Sequence, residues 1–182
     1  MLDNPAPQDI ISFWTEAGPE LWFTQNPEFD SRVRWNYFGA HQSAAYGNLD
    51  AWAEDAEGAL ALILLLDQFP RNIFRGLARA FGADAKALDV AYKAISRGFD
   101  KAFELPLRRF FYLPAMHSED LRDQDFCLHE CAACEDEEGV KFAQIHRDII
   151  ARFGRFPHRN PLLGRETTPE ERAFLDAGGF SG

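Results

Sequence analysis

The hydrophobic positions along this chain recur at three- and four-residue intervals almost from end to end, the period of amphipathic helices. Pro7–Ala17 carries Ile10, Ile11, Phe13 and Trp14 and is stopped by Gly18-Pro19. Pro27 opens a second helix, with Phe29, Val33, Tyr37 and Phe38 at helical spacing before Gly47. Asp55 leads into the apolar run Gly58–Leu66. Periodicity alone would also allow a buried strand there, but its Leu/Ala composition and its extension to Phe69 before Pro70 favour a helix buried on nearly all sides. Asp84–Arg97 shows one stripe of Ala87, Leu88, Ala91, Ala94 and Ile95, and Gly98 stops it. The aromatic segment Leu107–Leu113 runs to Pro114, and Ser118 is the expected N-cap of a helix reaching about Glu138. Val140–Phe153 places Ala143, His146, Ile149, Ile150 and Phe153 on one face. Thr168-Pro-Glu-Glu171 forms a capping box for a last short helix closed by Gly178-Gly179. Nowhere do β-branched residues alternate over a strand's length. The pattern predicts an all-α, single-domain antiparallel helical array spanning residues 1–182, with short connections.

Composition changes this picture little. The 182 residues are 46% hydrophobic and 26% charged, enough for one domain with a real core. The longest apolar stretch, Ala59–Leu66, is far below the ~20 residues of a membrane span. No basic-then-apolar leader is visible at Met1, and an odd count of three cysteines fits a reducing cytoplasm rather than a disulfide framework. The net charge of −10 argues against nucleic acid and anionic membranes as default partners. That charge is uneven. Lys141–Arg165 holds six basic residues against the single Asp148, a local +5 that leaves −15 for the rest.

Two stretches echo each other: Asp67-Gln-Phe-Pro-Arg-Asn-Ile-Phe-Arg-Gly76 and Gly154-Arg-Phe-Pro-His-Arg-Asn-Pro-Leu-Leu-Gly-Arg165. Each breaks an apolar helix with Phe-Pro and puts Arg-Asn just after. A repeated helix-end geometry with dipole-complementing arginines explains this, and so does a pair of ends forming one basic site. Asp67 closes a wholly apolar helix at its negative end, an unfavourable place for a carboxylate by ~0.3–1 kcal/mol unless a cation answers it. Arg71, Arg75, Arg155 and Arg159 are the candidate partners. Either Asp67 is locked in an Asp–Arg bridge, or it holds guanidiniums ready for a ligand's carboxylate or phosphate.

His146 lies on an apolar face, His117 precedes the Ser118 cap, and His158 sits in the second Phe-Pro connector. With Glu119, they could form an acid–base or metal site if they met in space. No His-x-x-x-His or His-Glu-x-x-His spacing occurs, so no metal or other cofactor is expected. Cys127-x-x-x-Cys131-x-x-Cys134 has the spacing of an iron–sulfur loop, but it falls on one face of a helix and reads as close packing. Glu135–Glu138 is a solvated acidic helix end without the alternating ligands of a calcium loop. Phosphate loops, nucleophile elbows and dinucleotide fingerprints are absent from the sequence.

Several motifs taken together carry a family resemblance. They are Asp67-Gln-Phe-Pro-Arg-Asn with Phe74-Arg-Gly76, Ala80-Phe-Gly-Ala-Asp84, Arg109-Phe-Phe-Tyr-Leu-Pro114 with His117-Ser-Glu119, His146-Arg-Asp-Ile-Ile150, and Arg152-Phe-Gly-Arg-Phe-Pro-His-Arg-Asn160 with Leu163-Gly-Arg165. In that order they resemble the bacterial domain-of-unknown-function 924 family over nearly the whole chain. The resemblance implies a fold similar to a tetratricopeptide-like right-handed superhelix, and supplies no reaction. It also places the family's polar pattern on Asp67, Gln68, Arg71, His117, Glu119, His146, Arg155, His158, Arg159 and Asn160.

Three functions follow as expectations. One is a binding module for an anionic small molecule or an acidic peptide or protein, with Asp67, Gln68, Arg71, Arg75, Arg155, Arg159 and Asn160 in an Arg/His-lined groove. Another is a hydrolase or metal-assisted acid–base enzyme using His117, Glu119, His146 and His158. In the third, the polar set is a buried network that specifies the fold.

Overall fold

A computed structural model describes residues 5–181. Met1–Asn4, on which the expectation about a leader falls, lie outside the described residues, as does Gly182. Among the described residues every regular element is helical and no strand occurs. The chain divides into two compact units, residues 1–114 and 115–182.

The first unit begins with α1 (Pro7–Ala17), α2 (Pro19–Trp22) and α3 (Pro27–Ala45). Proline in the first turn costs no hydrogen bond, because the amide it lacks would have had no helical partner. Asn26 caps α3 by accepting the Phe29 amide at 3.0 Å. The inward side of α3 is Phe29, Val33, Tyr37, Ala40, His41 and Ala44. Next come α4 (Ala56–Ile63), a π-helical turn (Leu64–Gln68), α5 (Phe69–Ile73) and α6 (Asp84–Ser96). Asp55 caps α4 through the Gly58 amide at 2.8 Å. Every residue from Gly58 to Pro70 is buried, and each fully buried Leu or Ile there contributes about 1.5–3 kcal/mol. Fully buried Trp14 organises the aromatic core, stacking on Trp22 at 6.0 Å and meeting Phe69 at 5.4 Å and Phe110 at 5.7 Å.

Pro70 does not end the helix, contrary to the expectation from its ring. Ahead of it the backbone widens into the π turn, so that the Phe69 amide reaches the Leu64 carbonyl five residues back. Widening moves the preceding carbonyls away from where the proline ring would strike them, and the helix continues to Ile73.

The chain passes into the second unit through the short α7 (Leu113–Met116). There α8 (Leu121–Ala133) and α9 (Glu137–Phe153) pack as a hairpin, followed by a 3-10 turn at Pro157–Arg159 and α10 (Pro169–Asp176). Three boundaries differ from the sequence expectation. Asp120, not Ser118, caps α8, and the Ser118 hydroxyl instead accepts the Asp120 amide at 3.1 Å and donates to Asp123 at 2.5 Å. The acidic run Glu135–Glu138 spans the hairpin turn and the start of α9, with Glu135 left-handed at φ 58° and buried Asp136 capping α9 through the Gly139 amide at 3.0 Å. Gly139 therefore belongs to the first turn of α9 and does not terminate α8. A Cβ there would stand 2.7 Å from Asp136 Cγ and 3.0 Å from Cys131 Sγ, so only glycine fits. Cys127 and Cys131 are buried and Cys134 is partly exposed, all as free thiols. Ile149, Ile150 and Phe156 form this unit's apolar centre, flanked by Ile145, Phe153, Phe174 and Phe180.

Candidate functional site

In the first unit the π turn delivers the Asp67 carboxylate into a fully buried position. Gln68 Nε2 donates to it, Arg71 lies 3.2 Å from Oδ1, and Arg71 also donates to the Asp67 carbonyl. The same guanidinium grips Asp84 with two bonds of 3.1 Å. Arg75 is held just as fully by Asp30, through bonds of 2.6 and 2.9 Å, and Asn72 donates to the same carboxylate at 2.8 Å. Burial alone would raise the pKa of Asp30, but Arg75 and Asn72 outweigh it and hold it below the usual carboxylate range. Of the binding candidates, Asp67, Gln68, Arg71 and Arg75 thus sit in ion-pair clusters that tie α5 to α6 and to α3.

The second unit gathers the rest. Its outer part is a strap of paired charges. Glu119 accepts two bonds from Arg165, at 2.6 and 2.9 Å, and the Phe156 amide at 2.8 Å. Burial pushes Glu119 upward, yet these donors prevail and keep its carboxyl below the ordinary value. Arg155 grips Glu171 at 2.6 and 3.0 Å, and with the Thr168 amide and Asn160 it pulls that carboxyl down to about 2. Fully buried Asn160 joins the two pairs, donating to Glu171 at 3.2 Å and accepting from Arg165 at 2.9 Å. Arg155, Asn160 and Glu119 are therefore occupied in fastening the connector after α9.

Inside the strap lies a different group. The rings of His117 and His146 are 6.4 Å apart, and His146 stands 5.5 Å from Phe156 and 4.4 Å from Phe180. His158 is 5.6 Å from Phe156 and 5.5 Å from Phe180, and the Arg159 guanidinium lies 4.5 Å over the Phe156 ring. Two imidazoles, His146 and His158, thus flank both phenyl rings, with Arg159 over Phe156 and His117 beside His146. His146 donates Nδ1–H to the Phe142 carbonyl at 2.8 Å, so the neutral ring carries its lone pair on Nε2. His158 Nδ1 is buried with no hydrogen-bond partner among the described residues. Burial first, and then the charge of Arg159, depress His158 to about 4, which keeps it neutral at pH 7.

Such an arrangement offers neutral imidazole donors and acceptors beside a fixed positive charge, the chemistry that receives an anion. Proton transfer by Glu119 is disfavoured, because Arg165 stabilises its ionised form. Among the described residues no group of three or more His, Cys, Asp or Glu is placed to hold a metal ion. Beside the cluster lies a groove of about 280 Å³ lined by Ile145, Ile149, Phe153, Phe174 and Phe180, with Asp148 and Arg152 supplying opposite charges. A shallower depression of about 550 Å³ lies in the first unit along α3, by Trp35, Phe38 and Gly39, and contains none of the candidates.

Sequence reasoning missed Phe156, Phe180 and Arg165 as parts of this site. Phe156 and Arg165 lie in the echoed connector, where Phe156 reads as a packing residue and Arg165 as one more charge of the basic segment. Phe180 had one available signal, an aromatic residue in an otherwise small and polar stretch, Gly178-Gly-Phe-Ser181.

No curated protein matches the chain. A solved structure described as a protein of unknown function, ATU0120, from Agrobacterium tumefaciens is 48% identical, with a TM-score of 0.92, covering 94% of this chain and 97% of that one. The model of a bacterial family of proteins of unknown function, DUF924, matches residues 10–179. A match of that extent, over the same polar blocks that fasten both units, shows that the chain belongs to the DUF924 family.

Proposed function

We propose that the second unit binds a small anionic ligand, with Arg159, His117, His146 and His158 as the receiving groups, and that the protein is a binding module. The observation that carries this reading is the gathering of His146, His158 and Arg159 around the Phe156 ring, with the His117 ring 6.4 Å from that of His146. A neutral imidazole can donate to an anion only through an uncommitted N–H; His146 gives its Nδ1–H to the Phe142 carbonyl, so its Nε2 takes part by gaining a proton, which a bound anion favours. A small ligand fits better than an acidic peptide. Arg147, Arg152, Arg155 and Arg165, which a peptide's carboxylates would seek, already pair with Asp125, Glu170, Glu171 and Glu119. The same pairing leaves nucleic acid a poor partner. Three free thiols suit a reducing, cytoplasmic setting, which completes the proposal.

The test is Arg159→Ala, titrated with acetate and inorganic phosphate while the histidine Cε1–H resonances are followed by NMR. Wild type should respond at His117, His146 and His158, with affinity falling as salt rises. The variant should retain its helical circular dichroism and lose the response at least tenfold. Equal binding by both proteins refutes the reading.

A second reading, acid–base catalysis, has one observation behind it: His158 is neutral at pH 7 with an unsatisfied ring nitrogen, as a general base requires. It predicts a hydrolytic rate that rises with pH through about 4 and vanishes in His158→Asn.

A further inference from the structure

Phe180 belongs to two environments at once. One side of its ring meets His146 at 4.4 Å and His158 at 5.5 Å, and the ring also lines the apolar groove of about 280 Å³. Its attachment is slight. After α10 the last backbone bonds are Gly178 N–H to the Leu175 carbonyl and Gly179 N–H to the Phe174 carbonyl, both 3.0 Å. Among the described residues neither Phe180 nor Ser181 makes a hydrogen bond. Gly178 has φ 79°, and Gly179 lies so close to the Phe174 ring that a Cβ would stand 2.5 Å from it. Among the described residues the ring is thus carried on a two-glycine arm and held by its own contacts.

Resting on the anion-binding reading above, we propose that Phe180 is a displaceable plug, and that the ligand is an aromatic carboxylate whose ring takes the place of the Phe180 ring while its carboxylate is received by Arg159 and the imidazoles. Two features select this class. A groove of about 280 Å³ suits a ring-sized apolar body, since about 150 Å³ already takes one benzene. Within it Asp148 is an acid and Arg152 is already paired with Glu170, so the groove offers no home for a ligand's negative charge. The charged end of the ligand must then lie towards His146 and His158, which touch Phe180, and Arg159, which lies over the neighbouring Phe156 ring. An amphipathic anion fits both halves, and an inorganic anion uses only one.

The experiment compares 3-phenylpropionate, acetate and 3-phenylpropanol as probes on wild type, Phe180→Ala and Arg159→Ala, by calorimetry and NMR on the whole chain. Removing the plug should tighten 3-phenylpropionate at least tenfold in Phe180→Ala and change acetate less than twofold. In wild type, saturating 3-phenylpropionate should move the Phe180 ring resonances towards their values in an unstructured peptide. Unchanged or weaker 3-phenylpropionate binding by Phe180→Ala, or Phe180 resonances that stay in place on saturation, overturns the plug while leaving acetate binding and its loss in Arg159→Ala intact. Arg159→Ala binding acetate as well as wild type overturns the anion reading instead. Equal affinity for 3-phenylpropanol and 3-phenylpropionate overturns the ligand class.

Discussion

His158 couples folding to pH in a direction the structure dictates. In the folded protein its ring is held neutral down to about 4, whereas an unfolded chain titrates near 6.5. Below the unfolded value the unfolded state therefore binds a proton that the native state refuses. Stability is lost as pH falls from about 6.5 to about 4, and is little affected above 7. At pH 5 linkage gives about 2 kcal/mol for this one ring, reduced to about 1–2 kcal/mol because the side chain is only partly buried and water screens it. His158→Asn removes the titration without removing the polar group. His41, which burial also depresses, is present in both proteins and cancels in the comparison. All four tryptophans, Trp14, Trp22, Trp35 and Trp52, lie in residues 1–114, so their fluorescence reports on the first unit. Urea unfolding should be followed by circular dichroism at pH 7 and pH 5, alongside NMR titration of His158 Cε1–H. Wild type should lose about 1–2 kcal/mol more than the variant between the two pH values. A His158 midpoint between 6 and 7, or parallel stability losses in the two proteins, would refute the argument.

The other two stability predictions concern single sites in each unit. Asp67→Ala leaves Gln68 and one side of Arg71 facing an uncompensated, fully buried space, and should cost about 2–4 kcal/mol in urea unfolding, Asp84 retaining part of Arg71; a cost under 0.5 kcal/mol would mean that the buried carboxylate is not needed to hold α5. Gly139→Ala sets a methyl against the Asp136 cap and Cys131, and should cost about 1–3 kcal/mol with a lowered Tm, although alanine is the better helix former.

The all-helical character was legible because it rests on periodicity. In α3, Phe29, Val33, Tyr37 and Ala40 recur at the spacing that puts them on one side, and burial follows that spacing. Boundaries were less legible, because caps compete locally. Ser118, Asp120 and Asp136 are all competent caps, and which of them acts depends on the turn that brings its oxygen to an amide. Pro70 misled for a related reason: a π turn removes the clash that makes proline a helix breaker, and no residue pattern announces a π turn. In the second unit the candidate histidines could be named but not placed. His117 and His146 are 29 positions apart, and only the α8–α9 hairpin brings their rings together. Phe180 went unnoticed because its contacts with His146 and His158 depend on that placement.

The two Phe-Pro stretches show how far the same letters can diverge. After Phe69-Pro70 the chain stays helical, and the arginine that follows is spent on Asp67 and Asp84. After Phe156-Pro157 it turns as a 3-10 segment behind the left-handed Gly154, and Arg159 lies over the Phe156 ring beside two imidazoles. The +5 of residues 141–165 changes meaning in the same way. Arg147, Arg152, Arg155 and Arg165 reach Asp125, Glu170, Glu171 and Glu119, all acids from outside the segment, so much of what reads as a basic patch is folded into ion pairs. Long-range attraction for an anion is correspondingly weak, since exposed and paired charges are screened within about 10 Å at ordinary salt. In the proposed anion binding, recognition rests on short-range geometry instead: the Arg159 guanidinium and the unsatisfied Nδ1 of His158 beside the Phe156 ring, with His146 able to add a proton at Nε2. A site of that kind selects by shape and by the proton it can share, and so suits a small amphipathic anion better than a polyanion.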